Sequence, residues 1–64
     1  MPYIFDFCQQ VLGTPMEPCR YLRHSIIAET HLEAFAQWCA LPSIQNVSMD
    51  RLGALEIEVT KAEL

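Results

Sequence analysis

Thr30 to Leu41, THLEAFAQWCAL, constrains the fold more than any other stretch of this chain. Thr30 and Glu33 have the T-x-x-E spacing of a capping box, in which each side chain satisfies a backbone N–H that the first helical turn leaves free. Leu32, Phe35, Ala36 and Cys39 recur at i, i+3, i+4 and i+7, one face of a helix. Pro42 closes the segment, because proline pushes the preceding residue out of the helical region. The pattern predicts a helix over 30–41 whose Leu32, Phe35, Ala36 and Cys39 side builds the core. Its other side is apolar too, with Ala34, Trp38 and Leu41 at i, i+4 and i+7. A helix apolar on two sides is either sandwiched or faces a partner.

The rest of the chain reads mainly as strands. Tyr3 to Gln10 places Tyr3, Phe5 and Phe7 on one side at period 2, and aromatic residues favour a strand. The same residues also fit a helical period through Ile4, Phe7, Cys8 and Val11, with Gly13 and Pro15 as a stop. The strand is preferred. GTPMEP, 13–18, is a loop. Arg20 to Glu29 alternates Leu22, His24, Ile26 and Ala28 against Tyr21, Arg23, Ser25 and Ile27. Apolar groups on both sides suggest a strand near the centre of a sheet, paired with the first as an antiparallel hairpin.

Ser43 to Met49 reads as a weaker strand, Asp50 to Gly53 as a hairpin turn, and Ala54 to Lys61 as a clean strand. In that last strand Leu55, Ile57 and Val59 point inward and Glu56, Glu58 and Thr60 outward. The tail 62–64 is expected to fray. The expected architecture is a single α+β domain over 1–64, ordered β-β-α-β-β. One helix packs on a small, mostly antiparallel sheet, and the other sheet face stays open.

Size bears directly on that open face. A chain of 64 residues buries only about 60% of its unfolded surface, yet 52% of these residues are hydrophobic. Such a chain needs an exceptionally tight core or a partner over its apolar surface, and surface-to-volume scaling favours the partner. Net charge is −4, with only Arg20, Arg23, Arg51 and Lys61 as fixed cations. Phosphate contacts need clustered Lys and Arg, so direct nucleic-acid binding is not expected. The acidic balance suits a basic protein surface, and it is also ordinary solubility charge.

No run approaches the roughly 20 apolar residues of a membrane span. MPYIFDFCQQ lacks the basic region and cleavage site of a signal peptide. An odd set of cysteines, Cys8, Cys19 and Cys39, without C-x-x-C fits a reducing cytoplasm.

Candidate chemistry is sparse. Cys8, Cys19, Cys39, His24 and His31 are metal-ligand types, but no pair has the tight spacing of a zinc site. Cys19 beside Arg20, with His24 five residues on, is a conceivable thiol pair; an activated thiolate also needs an orienting group and a pocket. Glu56 and Glu58 point the same way, as paired carboxylates do. Alternating glutamates on a strand are more commonly solvation and protection against edge pairing. The only glycines, Gly13 and Gly53, make no phosphate loop.

The reading favoured is a small, acidic, non-enzymatic interaction protein without cofactor or metal. It is expected to inhibit or regulate a larger complex, including nucleic-acid-binding complexes, in the manner of proteins carried by phages and mobile elements. Ala34, Trp38 and Leu41 are expected to supply interface area, with tryptophan the residue type most enriched at hot spots. Glu33, Glu56 and Glu58 are expected to steer toward a basic partner, with Tyr21 on the open sheet face. The alternatives are an obligate homodimer or assembly subunit, and a Cys/His metal or thiol protein.

Overall fold

Alternation in the aromatic N-terminal segment decides the architecture. In the computed structural model, which describes residues 2–63, strand β1 (Tyr3–Val11) turns Phe5, Phe7, Gln9 and Val11 to one face, all of them buried. Strand β2 (Arg20–Ala28) returns antiparallel, with Phe5 opposite Ile26 and Phe7 opposite His24. The 13–18 segment is the connecting loop, as expected. A β-carbon on Gly13 would lie 2.1 Å from the Glu17 carbonyl oxygen, so the tight return there depends on a missing side chain.

Helix α1 (His31–Cys39) starts where the cap predicts. Thr30 Oγ1 accepts from the Glu33 N–H at 3.2 Å, while the Glu33 carboxylate accepts from Glu29 N–H at 3.4 Å, one residue before the expected donor. Pro42 ends one helix and begins another. A short helix α2 (Pro42–Gln45) carries it at the first position, where its fixed φ is already helical and its missing N–H costs nothing. A 3₁₀ turn (Met49–Arg51) then leads into strand β3 (Leu52–Lys61).

The α+β class holds, with a three-stranded antiparallel sheet ordered β2-β1-β3. The strand expected over Ser43–Met49 is instead α2 and a turn, and the expected hairpin turn at Asp50–Gly53 is the 3₁₀ turn running into β3. Mixed parity of Ile44 and Val47 was the sign: Ile44 is buried from a helical position. The sheet's centre is also corrected. It is β1; β2 lies at an edge, and its outward Tyr21 and Ile27 stay more than half exposed.

The helix sits with the opposite side down from the one expected. Ala34 and Trp38 are its buried residues, and Leu41 packs against the same core, while Leu32, Phe35, Ala36 and Cys39 are exposed. Trp38 stacks on Phe7 with centroids 5.2 Å apart and planes 12° from parallel. Phe35 meets both rings edge-on, and His31 meets Phe5 at 5.0 Å. An indole hides about 150–250 Å², more than Leu32, Ala36 or Cys39 singly. Ala34, fully buried, has no side chain to hold the helix away from the sheet. Size of the anchor and smallness of its neighbour settle the choice between two apolar sides.

At one end of the β1–β3 ladder the register shifts between Gln9 and Val11, so Gly53 and Ala54 bulge opposite Gln10. Gln9, the buried polar residue of the core, resolves the bulge. Its Nε2 donates to the carbonyls of Gln10 at 2.8 Å and Gly53 at 3.0 Å. At the other end Ala62 is buried and its N–H donates to the Pro2 carbonyl at 3.2 Å, so the predicted fraying does not begin there; Leu64 lies outside the described residues.

Candidate partner interface

Helix α1 lies over β2 and β1, which leaves the inward side chains of β3 poorly roofed. Register carries Leu55, Ile57 and Val59 onto the core face, opposite Gln9, Phe7 and Phe5. Yet Ile57 is 40% and Val59 38% exposed, unlike the buried rings beside them. Phe35, 43% exposed and edge-on to Phe7, continues this surface from the helix, while Leu32, 82% exposed, lies one turn earlier on the helix's solvent side. The result is an apolar shelf along the β3 side of the domain.

Shape and area give the same picture. The molecule measures 44 × 18 × 14 Å, with a radius of gyration of 13.1 Å; a compact chain of this length has about 10.7 Å. Its accessible surface is 4764 Å², whereas a compact monomer of this mass exposes about 4,200 Å². The excess is about 560 Å², some two-thirds of the roughly 800 Å² that one partner contributes to a standard interface.

The outer sheet face carries no layer. Rows run across it in register: Arg23, Cys8 and Glu56, then Ser25, Asp6 and Glu58, then Ile27, Ile4 and Thr60. The first two rows line a shallow trough of about 560 Å³, bordered by Asp6, Arg23, Glu56 and Glu58. The Ser25 hydroxyl donates to Asp6 Oδ1. Tyr21 lies farther along the same face, opposite Gln10.

The expected interface residues therefore separate. Glu56, Glu58 and Tyr21 are exposed together on the outer face, and Asp6 joins them, a residue whose role appears only once the register is known. Glu33 is exposed on α1, on the opposite side of the sheet, and its carboxylate serves the helix start. Ala34 and Trp38 are in the core and Leu41 is half-buried against it, so none of the three offers the open side first assigned to them.

The cysteines stay apart from catalytic company. Cys8 is half-buried, Cys19 and Cys39 are exposed, and all three are free; Cys39 is thus not the core thiol its helix stripe suggested. His24, expected as a partner for Cys19, instead places Nε2 3.0 Å from Ser43 Oγ. A serine–histidine contact resembles a nucleophile and its base, but His24 Nδ1 is buried with no hydrogen-bond partner among the described residues. Nothing fixes the tautomer that such a nucleophile needs. No group of three or more potential metal ligands forms among the described residues. No described helix is long and apolar enough to cross a membrane. No family model, curated protein or solved structure matches the chain.

Proposed function

We propose that this protein is a non-catalytic interaction module that binds and blocks or regulates a larger protein with a basic surface, in the cytoplasm. The observation that carries the reading is the apolar shelf of Phe35, Ile57 and Val59, exposed in a domain already short of core. Burial of such a shelf supplies affinity at roughly 25 cal/mol per Å² before the costs of association. Glu56, Glu58 and Asp6 lie on the adjoining outer face, and a net charge of −4 favours encounter with cations. The inhibitor role, and a nucleic-acid-binding complex as its target, rest on size and charge alone.

A photo-crosslinking residue at Phe35, with one at Met16 in the distant β1–β2 loop as control, tests the reading in extracts of the native host. The expected result is a crosslink from position 35 to a larger basic protein, absent at position 16 and lost with Ile57→Asp. Equal capture from both positions would remove the interface assignment. Crosslinks between copies only would favour the homodimer, whose basis is the same exposed shelf.

A further inference from the structure

We infer that the free edge of β3 is completed by a β-strand of the partner, in which lysine or arginine alternates with apolar residues. This deepens the interaction reading above and rests on it. Three features of β3 combine. It is an edge strand of the sheet. Its Leu55–Lys61 stretch pairs regularly with β1, the bulge being confined to the Gly53–Ala54 end. And its two sides differ: Leu55, Ile57 and Val59 toward the helix layer, Glu56, Glu58 and Thr60 toward the outer face. An edge that long presents unpaired N–H and C=O groups as a template for another strand.

The occupant is selected by charge. In antiparallel pairing, residues directly opposite share a face, so a two-fold pairing of β3 with itself must be centred on a residue. Centred on Glu56, it spans Leu52 to Thr60 and sets Glu56 against Glu56. Centred on Ile57, it spans Gly53 to Lys61 and sets Glu56 against Glu58 twice. Both of these long registers oppose like charges, which destabilises the pair. Asp6, directly across from Glu58 on β1, adds a third carboxylate to the same patch. The charges that bar a second copy are matched by a strand with cations opposite Glu56 and Glu58 and apolar side chains opposite Ile57 and Val59. Such a strand also widens the sheet and sets its apolar side chains beside Ile57 and Val59 on the shelf side. Recognition by strand addition takes this form generally: main-chain hydrogen bonds give affinity, and alternate side chains give specificity.

The test uses a short synthetic peptide in which lysine alternates with valine, a scrambled peptide of the same composition, and the glutamate–valine counterpart. Amide hydrogen exchange of the intact chain is read with and without each. The lysine–valine peptide is expected to bind, to slow exchange along Leu55–Lys61 but not along β2, and to weaken as salt rises. Glu56→Lys with Glu58→Lys should weaken it about tenfold or more and transfer binding to the glutamate–valine peptide. Glu58→Lys alone gives a smaller change in the same direction if the double variant fails to fold. No binding, binding that leaves β3 exchange unchanged, or equal binding of the scrambled peptide would overturn strand addition. Slow β3 exchange in peptide-free protein that light scattering shows to be dimeric would overturn it in favour of a second copy. Crosslinking from Phe35 is read separately: capture that survives while the peptides fail refutes the strand alone, and loss of both refutes the interaction reading.

Discussion

The orientation of α1 can be tested by truncating one residue on each apolar side. Trp38 is 5% exposed and stacked on Phe7, whereas Leu32 is 82% exposed. Removing a packed aromatic side chain costs about 3–5 kcal/mol. A domain of 64 residues has only about 3–10 kcal/mol in total. Trp38→Ala should therefore lose much of its stability and be partly unfolded without denaturant if the starting value is low. Leu32→Ala removes little burial and should stay within about 0.5 kcal/mol of wild type. Trp38→Phe is the more discriminating variant. The indole N–H is buried without a hydrogen-bond partner among the described residues, so its removal returns about 1–3 kcal/mol. The smaller ring forfeits about 1–2 kcal/mol in transfer and cavity terms, and the net cost should not exceed about 1 kcal/mol. Urea unfolding followed by far-UV circular dichroism measures all three without relying on the single tryptophan. A larger loss from Leu32→Ala than from Trp38→Ala would refute the assignment of faces, and with it the shelf.

Three further outcomes follow from other parts of the fold. Gly13→Ala should destabilise by about 1–3 kcal/mol in chemical denaturation, because its β-carbon meets the carbonyl oxygens of Glu17 and Pro18 at 2.1 and 2.6 Å, and backbone must move. Gln9→Ala should cost about 1–3 kcal/mol and speed amide exchange around Gly53 and Ala54, whose carbonyls the Gln9 carboxamide holds together. The Ser48 hydroxyl, then the Asp50 backbone N–H and the Arg51 charge, hold the Asp50 carboxyl below its ordinary pKa. A depressed folded value contributes stability that is present above the unfolded pKa and is lost as pH falls through the folded one. Ser48→Ala should raise the Asp50 value toward the ordinary aspartate range in an NMR titration, and an unmoved titration would refute that cause.

Strands β1, β2 and β3 and the start of α1 are legible in the residues because each signal is local. Alternation at period 2 marks Phe5 and Phe7, or Ile57 and Val59, within a few residues, and Thr30 with Glu33 marks the cap. Three features depend on contacts between distant segments and were not legible. Ile44 and Val47 carry no clear period, and a proline that terminates one helix is equally suited to begin the next. The choice of helix side turned on Trp38 finding Phe7 across the sheet, which no periodicity within α1 records. The central position of β1 follows from its pairing on both sides, while apolar groups on both faces of β2 pointed elsewhere. The candidate interface inherited these errors. Glu56, Glu58 and Tyr21 kept their predicted exposure because strand parity is local, and Trp38 and Ala34 did not.

The drawn-out outline of the domain has a hydrodynamic consequence. A radius of gyration of 13.1 Å is what a compact chain of about 110 residues would have. A single copy should accordingly leave a sizing column somewhat earlier than a compact protein of its own mass. Column position alone would then overstate the mass of a single copy. Mass measured by light scattering, set against that early elution, separates the long, thin monomer from a true pair, in which closing the open side would bring shape and mass back into proportion.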